Sequence, residues 1–246
     1  MQDFPWYKFY PQSVEKNIDV EAYSSVVDLF EESVKKYGDS VAYECMGKTL
    51  SFNEVDHFSK IFASYLQNEL KMKKGDRVAI QMPNCLQYPV AMFGVLRAGM
   101  VVVNTNPLYT SSEMKHQFND SGADAIVILA NFAVNLEKIK KDISAKHIII
   151  TELGDMLGGL KGGIVNFVVK YIKNMVPSYN LPSAIKWKSV MSGGKSKDFK
   201  RENMILGEPA YLQYTGGTTG VSKGAELTHG NIVANMQQIS AWMKPK

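Results

Sequence analysis

Apolar positions along this chain follow two rhythms, and each predicts different elements. In the first 70 residues the spacing is helical or strictly local. Val26, Val27, Phe30 and Val34 fall on one face of a helix over 25–37, and Gly38 is a stop signal. Residues 41–46 and 48–52 read as two short strands joined at Gly47. Ser51 and Glu54 have the spacing of a capping box, which opens a helix reaching about Leu70 with Val55, Phe58, Phe62 and Leu66 inward.

Beyond Arg77 the pattern alternates between elements. Strands are predicted at 77–82, 100–104, 125–129 and 147–151, with helices at 86–98 and 132–141 between them. Thr110 and Glu113 cap a further short helix. The strands are continuous Val/Ile runs rather than alternating ones, so both of their faces are buried. That predicts an α/β fold, with a mostly parallel sheet flanked by helices and right-handed crossovers.

The rhythm breaks at Glu152. Through Asn203 the composition turns to glycine, lysine, serine and proline, after which 209–214 and 225–228 read as strands and 229–243 as a helix. No repeat of fixed period occurs. The expected organisation is an α/β subdomain over 1–151, a basic insertion over 152–203, and a strand, loop and helix over 204–246. Within the insertion, 164–175 is a candidate amphipathic helix whose polar stripe is Asn166, Lys170, Lys173 and Asn174. Two readings are open. It is an interfacial helix whose lysines meet anionic lipid, or a helix packed on the sheet with two lysines facing water.

Bulk properties narrow the class without choosing a function. The 246 residues are 45% hydrophobic and 21% charged, as in ordinary globular proteins. No apolar run approaches the roughly 18 residues of a membrane span. Asp3 and the lack of an apolar stretch near the start argue against a secretory signal. Cys45 and Cys85 lack metal or redox spacing, and His57, His116, His147 and His229 are scattered, so a cytoplasmic protein without a zinc site is expected. The net charge of +4 is uneven. Residues 156–201 hold eight lysines and Arg201 against Asp198 alone, so the positive charge is local, which disfavours a general nucleic-acid binder.

The chemistry concentrates in Tyr214-Thr215-Gly216-Gly217-Thr218-Thr219-Gly220-Val221-Ser222-Lys223-Gly224. Glycines let a backbone approach an anion and turn its N–H groups inward, hydroxyls donate to phosphate oxygens, and the lysine adds a point charge. The segment reads as a nucleotide phosphate loop. It is neither a G-x-x-x-x-G-K-[ST] P-loop, because Gly220 and Lys223 are separated by two residues and Gly224 follows the lysine, nor a G-x-G-x-x-G fingerprint. A kinase is disfavoured for the same reason.

The segment closely resembles the phosphate loop of the adenylate-forming enzymes, with Ser222 where proline is usual. Thr228-His229-Gly230-Asn231, Leu96-Arg97-Ala98-Gly99 and Thr49-Leu50-Ser51-Phe52-Asn53-Glu54-Val55 extend the resemblance. Asn104 to Tyr109, Gln213 to Gly217 and Val165 to Lys173 look like the bacterial long-chain fatty-acid–CoA ligases. The resemblance runs from about Tyr10 to the last residue. It implies the first subdomain, and the start of the second, of that family's large N-terminal domain. It also implies ATP, Mg²⁺ and CoA, a long-chain fatty acid, and in some members a homodimer. A peripheral contact with the inner face of the cytoplasmic membrane through 161–201 is the accompanying expectation.

By the same resemblance, the backbone of Gly216 to Gly220 would donate to the β- and γ-phosphates in a loop that orders on ATP. Thr215, Thr218 and Thr219 would reach phosphate or Mg²⁺-bound water, with Thr215 or Thr218 nearest the metal. Lys223 would neutralise the leaving pyrophosphate and Gly224 would belong to the loop, while Tyr214 would line the pocket or, as an aromatic at a strand end, belong to the core. His229 is a weaker candidate, able to face an anion from a helix start or simply to pack; Asn104 and Asn106 read as turn formers, and Lys73, Lys74 and Arg77 as solvated. The family's adenine, ribose and hinge segments and its C-terminal catalytic lysine match nothing here, so catalytic residues are expected beyond Lys246. The chain is expected to be the N-terminal portion of a longer ligase, inactive alone. The competing readings are an acyl-AMP ligase loading a carrier protein, and a non-catalytic nucleotide- or membrane-binding module.

Overall fold

The computed structural model describes residues 4–194, 199–215 and 221–243. The first elements follow the predicted caps. Helix α1 (Val26–Tyr37) starts at Ser25, whose hydroxyl accepts from the Asp28 N–H, and strands β1 (Val41–Cys45) and β2 (Lys48–Ser51) form an antiparallel hairpin turning at Met46 and Gly47. Both turn residues have positive φ, as a two-residue hairpin turn of this hand requires. Helix α2 (Phe52–Asn68) opens on the full Ser51/Glu54 capping box.

The main sheet is then built by crossovers. Its strands are β3 (Arg77–Gln81), β4 (Val101–Asn104), β5 (Ala125–Leu129), β6 (His147–Thr151), β7 (Ile185–Lys186), β8 (Pro209–Thr215) and β9 (Lys223–Thr228). Their spatial order is β7-β6-β5-β3-β4-β8-β9, parallel throughout except for β9, which returns antiparallel to β8. The connecting helices are α3 (Gln87–Arg97), α4 (Ser111–Asp120), α5 (Ala133–Ile139), α6 (Gly159–Phe167) and α7 (Trp187–Gly194), and α8 (His229–Met243) follows β9.

Side chains alternate between two cores. Val78, Ile80, Val102, Val127 and Leu129 point to the face covered by α2 and α3, with Trp187 of α7 on the same side. Ala79, Val103, Ile126 and Ile128 point to the other, covered by α4 and α5 through Met114, Phe118 and Leu136. This is why the strand sequences are continuous apolar runs. The chain leaves β3 for β4 on one side and returns past β3 to β5 on the other. The order therefore reverses beside β3 and β4, and in open α/β sheets ligands bind at the carboxyl ends of strands at such a point.

Residues 152–203 also contribute to this frame: β7 pairs parallel with β6, and α7 packs on α2. The helix expected over 164–175 differs from the one observed. α6 begins at Gly159, five residues earlier, and 168–172 continue as a wider, π-helical turn. The glycines that look like breakers are tolerated because Gly162 lies directly on the Gly154 backbone, where a Cβ would meet the Gly154 carbonyl oxygen at 2.2 Å. The polar stripe also turns inward at Asn166. Its Oδ1 accepts from the Gly154 N–H (2.6 Å) and its Nδ2 donates to Glu152 Oε2 (3.0 Å).

Candidate functional site

Strands β3, β4 and β8 end at one edge of the sheet. Ile80 is in register with Asn104, and Asn104 with Gln213, so β8 and β9 bring Thr215 and Lys223 to that carboxyl edge. Of the predicted site residues, Tyr214, Thr215, Lys223 and Gly224 are described, whereas Gly216, Gly217, Thr218, Thr219 and Gly220 lie outside the described residues. Thr215 faces Lys223 in register and Tyr214 faces Gly224. Thr215 and Lys223 are both exposed, and among the described residues Lys223 has no ion pair. With no partner among the described residues, this ammonium and the Thr215 hydroxyl are placed at a strand end where a phosphate could take both.

Tyr214 is buried instead, and its ring lies across Gly224. A Cβ on residue 224 would sit 2.9 Å from that ring, so any larger residue there would displace the tyrosine. The Tyr214 hydroxyl donates to Asp120 Oδ2 at 2.5 Å. Burial first, and then this hydrogen bond to a carboxylate, push its pKa well above the ordinary phenol range. The phenol therefore stays protonated and remains a donor.

Beside the hairpin an open cleft of about 460 Å³ is lined by Tyr88, Asn104, Asn106, Tyr109, Gln213 and Tyr214, among others. A chain of polar contacts crosses its floor. The Tyr88 hydroxyl donates to Asn104 Oδ1 (2.8 Å), Asn104 Nδ2 donates to Gln213 Oε1 (2.9 Å), and the buried Gln117 amide donates to the Asn104 carbonyl (2.8 Å). Asn104 therefore does more than form a turn: it joins β4 to β8 at the cleft. Asn106 does behave as a turn former, with Oδ1 accepting from the Leu108 N–H (2.9 Å). Sequence reasoning missed Tyr88 and Gln213 as cleft residues. The signal for Gln213 was a polar residue near the end of the 209–214 strand, and Tyr88 had none.

Other candidates are settled by their partners. His229 is 2% exposed and its Nδ1 accepts from the Val26 N–H (3.2 Å), so it ties the start of α8 to the start of α1. Burial lowers its pKa, in keeping with a neutral ring that accepts. Thr228 and Asn231 cap α8 reciprocally. Lys74 and Arg77 are engaged rather than simply solvated. Lys74 pairs with Glu208 (2.7 Å), and Arg77 donates to the Ser121 carbonyl (2.7 Å). The Cys85 thiol is buried and pushed up to about 11, which rules it out as a ready nucleophile. Among the described residues no cluster of three His, Cys, Asp or Glu side chains could hold a metal, and no helix is long and apolar enough to cross a membrane.

Comparison with known proteins matches the sequence to a family. The profile of the AMP-binding enzymes matches residues 30–246. A long-chain-fatty-acid–CoA ligase of Escherichia coli O6:H1 is 52% identical over 240 residues, which are 98% of this chain and 43% of that protein. One from Haemophilus influenzae is 50% identical over 233 residues, 95% of this chain and 42% of its own length. The chain thus spans less than half the length of these relatives. Among solved structures, a long-chain-fatty-acid-CoA ligase from Archaeoglobus fulgidus superposes with a TM-score of 0.70 at 22% identity, covering 93% of this chain and 41% of that one. An anthranilate CoA ligase in complex with anthranoyl-AMP gives 0.69 at 16%, covering 87% and 37%. At these identities the likeness concerns the fold.

Proposed function

The chain belongs to the AMP-binding enzymes, and from that premise we propose that it forms the N-terminal portion of an ATP-dependent long-chain fatty-acid–CoA ligase. The observation that carries this reading is the hairpin. β8 and β9 bring Thr215 and Lys223, the described ends of a sequence rich in glycines and hydroxyls, to the carboxyl edge of the sheet, where both are exposed. In the reaction a carboxylate oxygen attacks the α-phosphorus of ATP, acyl-AMP forms and pyrophosphate leaves. The CoA sulfur then attacks the acyl carbonyl and AMP departs. Two anions must be brought together in the first step, so the work of the protein is positioning and charge stabilisation.

In that scheme Lys223 offsets the charge that builds on the departing pyrophosphate, and the Thr215 hydroxyl donates to a phosphate oxygen. Mg²⁺ is a hard cation that takes phosphate and hydroxyl oxygens, so Thr215 or Thr218 would lie nearest to it, and it would supply further charge neutralisation. The cleft edged by Asn104 and Gln213 would admit the nucleotide or acyl end beside the phosphates. The names of the relatives in Escherichia coli and Haemophilus influenzae favour a long-chain fatty acid and CoA as the other substrates.

A peripheral membrane contact forms part of the reading. Leu160, Ile164, Phe167, Tyr171, Ile172 and Met175 are exposed on and after α6, interleaved with Lys161, Lys170 and Lys173. Apolar side chains among lysines are the composition of a surface that lies on anionic lipid.

The test compares this 246-residue chain with the longest reading frame containing it. Each receives ATP, Mg²⁺, CoA and fatty acids from short to long, with acyl-AMP and acyl-CoA read by mass spectrometry. Long-chain acyl-CoA from the longer protein and none from the chain alone is the expected result. Acyl-AMP without acyl-CoA from the longer protein would move the reading to an acyl-AMP ligase.

A further inference from the structure

Helix α4 makes two contacts that binding of substrates does not call for. Asp120, its last residue, accepts the Tyr214 hydroxyl at 2.5 Å. One turn earlier, His116 Nε2 lies 2.9 Å from the Ser222 carbonyl oxygen. A carbonyl can only accept, so Nε2 carries the proton. Residues 116 and 120 are i and i+4 and share one helix face. Tyr214 stands at the end of β8 and Ser222 immediately before β9, so one helix face holds both stems of the hairpin that bears the glycine-rich segment.

The helix is well fixed for this. Its start carries a reciprocal Thr110/Glu113 capping box, Met114 and Phe118 are buried in the core, and Gln117 donates to the Asn104 carbonyl at the end of β4. On the other side the Tyr214 ring lies against Gly224 of β9. β9 is the edge strand of the sheet and pairs with β8 alone, so the contacts from α4 add restraint to both stems beyond their ladder.

We propose that α4 is a clamp for the phosphate segment. It holds Tyr214 through Asp120 and Ser222 through His116, so the two stems are set before any ligand arrives. His116, Asp120 and Tyr214 are thus positioning residues. Fixing both stems removes chain freedom that ligand binding would otherwise have to remove. The proposal rests on reading residues 214–224 as the phosphate segment, but its test does not need nucleotide.

The experiment is amide hydrogen exchange on this chain, comparing wild type with His116→Phe, His116→Gln, Tyr214→Phe and the His116→Phe/Tyr214→Phe double variant. His116→Phe keeps the ring and loses the donor, whereas His116→Gln keeps an N–H near the position of Nε2. Loss of one hydrogen bond should speed exchange at 221–224 about fivefold in His116→Phe, with a similar gain at 214–215 in Tyr214→Phe. His116→Gln should exchange near the wild-type rate, and β5 and β6 should be unchanged in every variant. The double variant should exceed the product of the singles, because each tether holds the stems for the other.

Wild-type exchange in His116→Phe, a His116→Gln variant as fast as His116→Phe, a double variant equal to the product, or a rise shared with β5 and β6 would each overturn the clamp. Added MgATP separates the two claims, using the longest protein that contains the chain. If the variants speed exchange but MgATP slows nothing in wild type, the clamp stands and the phosphate reading falls.

Discussion

Helices α2 and α6 have comparable apolar content and opposite fates. In α2, Val55, Phe62 and Leu66 are completely buried, and the Phe62 ring stacks on Trp187 at 5.3 Å. In α6 the buried residue is Gly162, while Leu160 is 83% and Phe167 56% exposed. An amphipathic pattern states that a helix has two faces. It does not state which face goes inward. That choice follows from what each face can satisfy. α2 offers large side chains to a deep apolar layer, whereas α6 offers a glycine that permits backbone contact with Gly154 and an asparagine that fills three polar positions at once.

The largest expected effect tests the inward helix. Phe62→Ala removes a fully buried ring and leaves a cavity, so unfolding in urea should show a loss of about 3–5 kcal/mol. The matched change Phe167→Ala should stay within about 0.5 kcal/mol of wild type, as substitutions at exposed positions do. Equal losses at the two positions would dissolve the contrast.

Next in size is the glycine contact. Gly162→Ala places a methyl group where the Gly154 carbonyl already sits, and backbone on both sides cannot yield as a flexible side chain would. The expected cost is about 1–3 kcal/mol by overpacking, with α6 exchanging its amides faster than α2. The helix preference of alanine alone would stabilise by roughly 1 kcal/mol, so even the sign discriminates.

A smaller effect comes from the inward side through His229, which joins α8 to α1 as a neutral acceptor. Its folded pKa lies below the ordinary value of 6.5 because the ring is buried. The unfolded chain therefore binds the proton first. The stability from this group is complete above about pH 6.5 and falls as the pH drops toward the folded pKa, with a slope of at most about 1.4 kcal/mol per pH unit. His147, lowered by burial and by Lys146, has the same sign. His229→Gln should therefore flatten the acid side of the stability profile without removing its slope. An unchanged profile would mean that folding does not shift the pKa of this ring.

Much of the frame was legible from the sequence because its signals are local. The Ser51/Glu54 and Thr110/Glu113 boxes fixed two helix starts, and the runs 125–129 and 147–151 marked strands whose bounds the structure repeats. The glycine-rich segment stood out because its residue types have few other uses together, and the structure places its ends, Thr215 and Lys223, side by side. What stayed hidden depends on distance. Nothing near His116 announces a partner 106 residues away at Ser222, nor does Asp120 announce Tyr214, 94 residues on. Gly162 hid a contact for a different reason. A glycine in a helix reads as a weakness until the opposing backbone is known.

The smallest effect on stability sharpens the comparison most. The triple change Ile164→Ser/Phe167→Ser/Tyr171→Ser removes three exposed apolar groups from the outward face and leaves Asn166 and Gly162 in place. If that face has no partner within the chain, the urea midpoint should move by no more than about 0.5 kcal/mol in equivalent free energy. Sedimentation with phosphatidylglycerol vesicles should tell a different story. Wild type should bind them and release as salt is raised, because lysines supply the attraction over a Debye length and the apolar groups supply the anchoring. The triple variant should lose most of that binding. Phosphatidylcholine vesicles, which lack net charge, should retain little of either protein. A large fall in stability would instead place these side chains in a core, and α6 would then differ from α2 only in degree. Unaltered vesicle binding would leave the lysines sufficient by themselves and the exposed apolar face without a role at the lipid surface.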